Sequence, residues 1–162
     1  MSENLICLYQ TSIGCSIEDL AREILKLATT VSPNSEISYR IKDQRILVRK
    51  MSLKNVRSVF DIDDVYGLRL LVSSVEESYD VLNVIGRFFR YVLDHDYIKE
   101  PKIRLDKPHL AGKSLRLIQI IAYRNGVRFE IQITTFDFDE ENESLHGQYH
   151  DEKYPYISNG NT

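Results

Sequence analysis

The sequence predicts an α+β fold, a mixed β-sheet packed with helices. Three observations predict it. Segments with helical spacing alternate with apolar, strand-like runs through the first half of the chain. Val65 to Val72 is nearly apolar on both faces, as a central strand is. Asn125-Gly126 joins two alternating runs, the strongest short signal for a β-hairpin. At 162 residues the chain predicts a single domain over 1–162 with a sizeable core. Apolar content of 43% and charged content of 28% suit a globular protein.

The elements follow in order. Ser16 can cap a helix over about 16–29, with Glu18 and Asp19 in the first turn, where the helix dipole favours them. Ile17, Leu20, Ala21, Ile24 and Leu25 recur at helical spacing, so one face meets a core. This is the one N-terminal helix the pattern predicts, and Pro33-Asn34-Ser35 ends it. Ile37, Tyr39 and Ile41 then alternate with Ser38, Arg40 and Lys42, giving a strand with one apolar and one polar face. A helix is expected from Gln44 to about Arg57, then the Val65–Val72 strand. Ser73 and Ser74 introduce a third helix with Val75, Tyr79, Leu82, Ile85 and Phe89 as its inner stripe. Asp94 to Lys113 reads as a long loop with short extended pieces. Leu115–Tyr123 and Val127–Thr135 form the hairpin strands, with Glu130 and Gln132 exposed together on one face. Asp137 to Glu143 opens a last helix, and about 154–162 reads as a flexible tail. The order predicts a sheet with helices on one face and the other face open.

Composition narrows the function. A net charge of −3 argues against broad, nonspecific nucleic-acid binding, so any phosphate grip must be a local cluster. Two cysteines are too few for a disulfide framework. No secretory signal or apolar run long enough for a membrane span is visible, and a cytoplasmic location is expected.

Two constellations can carry chemistry. Arg40, Lys42 and Lys50 can converge on a triphosphate, or they form a solvated charged face. Asp64 and Glu130 each sit on or beside an apolar strand, where a carboxylate is costly unless a cation faces it. They can hold a divalent cation, or one caps a turn while the other faces water. Asp94-His95-Asp96 and the pair His146 and His150 read as surface groups. No G-x-x-x-x-G-K loop is present.

The order of the motifs is informative. Arg40-Ile41-Lys42 is followed by Arg49-Lys50-Met51, then Asp64-Val65-Tyr66-Gly67-Leu68-Arg69. Asp96-Tyr97-Ile98-Lys99 with Pro101-Lys102, Lys113-Ser114-Leu115 and Glu130-Ile131-Gln132-Ile133-Thr134-Thr135 complete the series. This series, over about 37–143, resembles the synthetase domain of the RelA/SpoT family, which makes the alarmone (p)ppGpp. The resemblance implies a nucleotidyltransferase-like fold and transfer of pyrophosphate from ATP to the 3′-hydroxyl of GDP or GTP. It implies that Arg40 and Arg69 stack on adenine and that Lys42 and Lys50 hold the ATP phosphates. Asp64 and Glu130 would carry Mg²⁺, with Glu130 also activating the acceptor hydroxyl. Lys102 would hold the acceptor's phosphates and Gln132 would orient the acceptor, with Lys113, Ser114 and Arg116 beside them.

Departures from the family pattern fall mainly on the acceptor side. Leu110-Ala111-Gly112 stands where Asn-Gly-Tyr is usual, Arg116 where His is usual, and His95 where Lys or Arg is usual. Thr134 replaces an Arg. The chain looks like a small, synthetase-only member without the His-Asp hydrolase half, and small members often assemble as homo-oligomers. Two rival readings are a degenerate nucleotide-binding or interaction module and a relative that pyrophosphorylates tRNA.

Overall fold

The computed structural model describes residues 4–103, 114–146 and 157–158. Helices α1 (Leu5–Ile13) and α2 (Ile17–Thr29) precede strand β1 (Glu36–Ile41). Helix α3 (Gln44–Leu53) and a short 3₁₀ turn (Val59–Asp61) lead into β2 (Tyr66–Val72). Helix α4 (Val75–Phe88) is followed by β3 (Arg90–Asp96), and by β4 (Lys102–Ile103) and β5 (Ser114–Leu115). The hairpin β6 (Ile118–Arg124) and β7 (Val127–Thr135), helix α5 (Phe136–His146) and β8 (Ile157–Ser158) complete the order.

Six strands form one sheet in the order β3-β6-β7-β2-β1-β8, while β4 and β5 pair separately. Among the described strands only β2 and β7 run parallel, so the sheet is mixed, as the sequence predicts. Register sorts the side chains. Tyr39, Leu68, Ile131 and Ile120 lie in one row and face the core. Arg40, Gly67, Glu130 and Ile121 lie in the next row and face the other way. Asn125 and Gly126 take φ of 53° and 74°, the left-handed pair that a tight hairpin turn requires.

Several expectations need correction. A second N-terminal helix, α1, precedes the expected one. Asn4 caps it through the Cys7 amide at 3.1 Å, and Gly14 ends it at φ 80°. Its Tyr9 is fully buried, donates to the Arg128 carbonyl at 2.5 Å and meets Tyr66 edge-on at 4.9 Å. Helix α3 stops at Leu53 rather than Arg57, because Asn55 turns left-handed at φ 54°. Helix α4 buries Ser78, Val81, Val84 and Ile85; of the expected stripe, Ile85 and Phe89 are buried, Tyr79 and Leu82 pack partly buried against the core, and Val75 is exposed. Phe89 has already left the helix at ψ 138° to enter β3, where it packs edge-on against Phe129 at 5.8 Å. Residues 94–96, expected in a loop, belong to β3, and Ile157–Ser158 of the expected tail pair with the edge of β1.

The expected strand Leu115–Tyr123 is broken at Arg116, for a visible reason. The Arg116 amide donates to Asn142 Oδ1 at 2.9 Å. Its carbonyl accepts from Thr134 Oγ1 at 2.7 Å and Asn142 Nδ2 at 2.9 Å. Side chains therefore replace the ladder partners there. Asn142 lies on α5, which crosses part of the face expected to be open.

Candidate functional site

Strand β1 carries Arg40, Lys42 follows its last residue beside the start of β2, and α3 comes at once, capped by Asp43. This brings three basic side chains around Asp64, which precedes β2. Lys50 Nζ lies 2.8 Å from Asp64 Oδ1, Lys42 Nζ 3.0 Å from Oδ2, and Arg40 Nη2 3.6 Å from Oδ2. Asp64 and Lys42 are buried. Burial works against the ionised form of Asp64, but Lys42 and Lys50 outweigh it and hold the carboxyl below its ordinary value. Burial also lowers the Lys42 ammonium, only partly offset by Asp64.

Gly67 lies between Arg40 on β1 and Glu130 on β7. A Cβ there would come within 3.4 Å of the Arg40 guanidinium, so the arginine lies across the glycine. The Gly67 backbone, covered by the Arg40 side chain, is thus the floor between the Asp64 cluster and Glu130.

Glu130 shares its face with Gln132 as expected, but it is not exposed: only 7% of it meets solvent. Its row neighbours are the buried Ile121 and the Arg40-covered Gly67. Gln132 Nε2 donates to Glu130 Oε1 at 3.1 Å. Burial first, and then the charge of Asp64, push the Glu130 carboxyl up to about 7. The two carboxylates therefore lie in each other's field and differ sharply in acidity.

Two residues further along, Arg69 faces Gln132 across the parallel pair. Arg69 Nε donates to Gln132 Oε1 at 3.2 Å. Its Nη1 donates to Asp139 at 3.2 Å and also contacts Glu143, both on α5. The acidic run is visible in the sequence only as the start of a helix; nothing in its spacing points to Arg69.

The residues expected on the acceptor side are more scattered. Arg116 sits at the β5–β6 break with its guanidinium over Phe138 at 5.2 Å. Lys102 lies opposite Leu115, and Ser114 opposite Ile103, in the β4–β5 pair. Lys113 lies outside the described residues, as does Leu110-Ala111-Gly112. Asp94-His95-Asp96 forms no joint site: Asp96 accepts from Tyr79 and from the Ile98 and Lys99 amides, while His95 stacks on Tyr97 at 4.7 Å. Among the described residues, no three or more His, Cys, Asp or Glu side chains cluster as metal ligands would.

The arrangement places an excess of positive charge beside a buried carboxyl of near-neutral pKa, on a partly covered sheet face. Such a surface can grip a polyanion and take up a proton next to it.

Comparison with known proteins gives the family and the fold. A curated relative, the guanosine-3′,5′-bis(diphosphate) 3′-pyrophosphohydrolase of Aquifex aeolicus, is 32% identical over 126 residues. The match covers 75% of this chain, which spans 17% of that relative's length. A GTP pyrophosphokinase family protein from Streptococcus pneumoniae superposes with a TM-score of 0.67 at 18% identity, over 91% of this chain and 79% of that one. Small alarmone synthetase 1 from Bacillus subtilis, bound to its product pppGpp, superposes with a TM-score of 0.67 at 20% identity, over 90% and 78%. Small alarmone synthetase 2 from Bacillus subtilis gives 0.65 at 22% identity, over 91% and 79%. At these identities the structures establish a shared fold. The family described as a region found in RelA / SpoT proteins matches residues 39–159, and the chain belongs to the RelA/SpoT family.

Proposed function

We propose that this protein is a (p)ppGpp synthetase-like pyrophosphokinase, moving pyrophosphate from ATP to the 3′-hydroxyl of GDP or GTP. One observation carries the reading: three cations converge on Asp64 at one side of the Gly67 floor, and Glu130 stands at the other. The acceptor's 3′-oxygen attacks the β-phosphorus of ATP. The bond from that phosphorus to the α,β-bridging oxygen breaks, and AMP leaves with that oxygen. The hydroxyl proton passes to Glu130, whose pKa of about 7 suits a general base at neutral pH. Lys42 and Lys50 bind the phosphates, and Arg40 and Arg69 offer planar cationic faces to the adenine. Gln132 holds the Glu130 carboxylate through its hydrogen bond.

The donor set fits a hard divalent cation such as Mg²⁺. Asp64 stays ionised, and it raises the Glu130 pKa, a repulsion that a cation between the two would relieve. Mg²⁺ commonly takes one or two carboxylates and leaves its other positions to phosphate and water. When bound, it neutralises phosphate charge as the bond shifts.

The curated relative's name gives a hydrolase, but that enzyme is far longer than the matched region, and the matched folds include the alarmone synthetases. The test is incubation with labelled ATP, Mg²⁺ and a panel of GDP, GTP, other nucleotides and tRNA. AMP release with a labelled guanosine product, lost in Glu130→Ala, is expected. Transfer to tRNA alone would move the acceptor from nucleotide to RNA. Nucleotide binding with no AMP under any condition would leave a binding module. A homo-oligomer, proposed from the habit of small family members, is checked by sedimentation.

A further inference from the structure

The acidic residues of α5 have no role in the transfer described above, yet they converge on one of its donor-side cations. Asp139 and Glu143 both contact Arg69 Nη1, while Gln132 takes Arg69 Nε. We propose that Asp139 and Glu143 are positioning residues of the donor-base subsite, holding the Arg69 guanidinium as a fixed planar platform for adenine. This rests on the reading that ATP is the donor.

The geometry favours this over simple docking of α5. The helix is already anchored to the sheet by Asn142, which bonds both backbone groups of Arg116. Arg116 also covers Phe138, and the Phe138 amide donates to Thr135 Oγ1. Docking therefore does not require two carboxylates on Arg69. Contacts at Nε and Nη1 hold the guanidinium at two of its nitrogens and so fix its orientation. The acids also stand apart from the phosphate grip. Arg69 lies two residues beyond Gly67 along β2, so Lys42, Lys50 and Asp64 crowd one end while Asp139 and Glu143 sit toward the other. Carboxylates close to a triphosphate would repel it; carboxylates behind a base platform need not.

The chain of contacts continues from Arg69 through Gln132 to Glu130. The same two acids thus steady the group that orients the proton acceptor.

Calorimetric binding of ATP and of inorganic tripolyphosphate, each with Mg²⁺, separates base from phosphate recognition. In the double variant Asp139→Asn/Glu143→Gln, the Kd for ATP should rise about tenfold, within what a lost cation–π stack is worth. The Kd for tripolyphosphate should stay within about twofold. Arg69→Lys, which keeps the charge but loses the plane, should show the same selective loss. Should the double variant fail to melt cooperatively, Asp139→Asn alone carries the test, with a smaller loss of the same selectivity. Unchanged or tighter ATP binding overturns the proposal, and so does an equal loss for both ligands. If the wild-type protein binds neither ligand, the donor reading falls with it. If the wild type binds ATP and releases AMP while the variants match it, only the positioning role falls.

Discussion

The two ends of the Gly67 floor handle the same problem, a carboxyl group under a sheet face, in opposite ways. At the β1–α3 end, Asp64 is surrounded by Arg40, Lys42 and Lys50 and stays ionised despite burial. At the β7 end, Glu130 has an amide donor from Gln132 and apolar Ile121 beside it, and burial raises its pKa to about 7. The difference teaches that neighbours, more than depth, decide whether a buried carboxyl is a fixed charge or a proton acceptor. Both groups are 7% exposed, so burial alone does not separate them.

The largest effect is expected at Asp64. Asp64→Ala removes the carboxylate that faces the buried Lys42 and its two neighbouring cations, a loss of about 3–5 kcal/mol. Thermal melting should show a large fall, and AMP release from ATP should vanish. A variant that melts like the wild type would mean that the cations are solvated and the cluster is not a structural unit.

Glu130→Gln should do the reverse to stability. The folded Glu130 pKa is above its ordinary value, so the folded chain keeps a proton that the unfolded chain loses. Stability therefore falls as pH rises from the usual carboxylate range through about 7, by up to about 3 kcal/mol. The Gln variant should melt higher than the wild type at about pH 8 and close to it at about pH 5. Its AMP release should drop by about 10²–10⁴-fold, the worth of a general base. An equal melting shift at both pH values would remove the contrast with Asp64.

Lys42→Met probes the contrast from the cation side. The Asp64 carboxyl is held low, so its ion pairs contribute stability at neutral pH that is lost as pH falls through its folded pKa. Loss of one hydrogen-bonded charge partner should cost about 1.5–3 kcal/mol at neutral pH. The gap between variant and wild type in pH-dependent melts should shrink in acid; a gap that is constant with pH would point to packing instead.

The smallest effect is expected at Thr134, on the same strand as Glu130 but buried beside Arg116. Thr134→Val removes one hydrogen bond, while Asn142 still serves the Arg116 carbonyl. A loss of about 1 kcal/mol is expected in denaturant titration, with AMP release retained. Loss of activity without loss of stability would show that the β5–β6 break shapes the acceptor side directly.

Much of this is legible in the amino-acid sequence. Apolar periodicity identifies α2, β1, β2 and β7, and Asn125-Gly126 marks the hairpin, because burial and turn geometry leave local traces. The motif series names Arg40, Lys42, Lys50, Asp64, Arg69, Glu130 and Gln132 as one group, and all of these meet on or beside one sheet face. What the residues could not show were facts of long-range contact. The break at Arg116 depends on Asn142 and Thr134, far along the chain. Glu130 reads as exposed by alternation, and its burial arises only when neighbouring strands bring Ile121 and the Arg40-covered Gly67 alongside. The α5 acids look like a helix start until the β2–β7 register puts Arg69 beneath them. Local pattern thus determined which elements form and which residue types can do the chemistry. Only the tertiary arrangement decided which carboxyl is held ionised and which has a raised pKa, because that choice is made by neighbours distant in sequence.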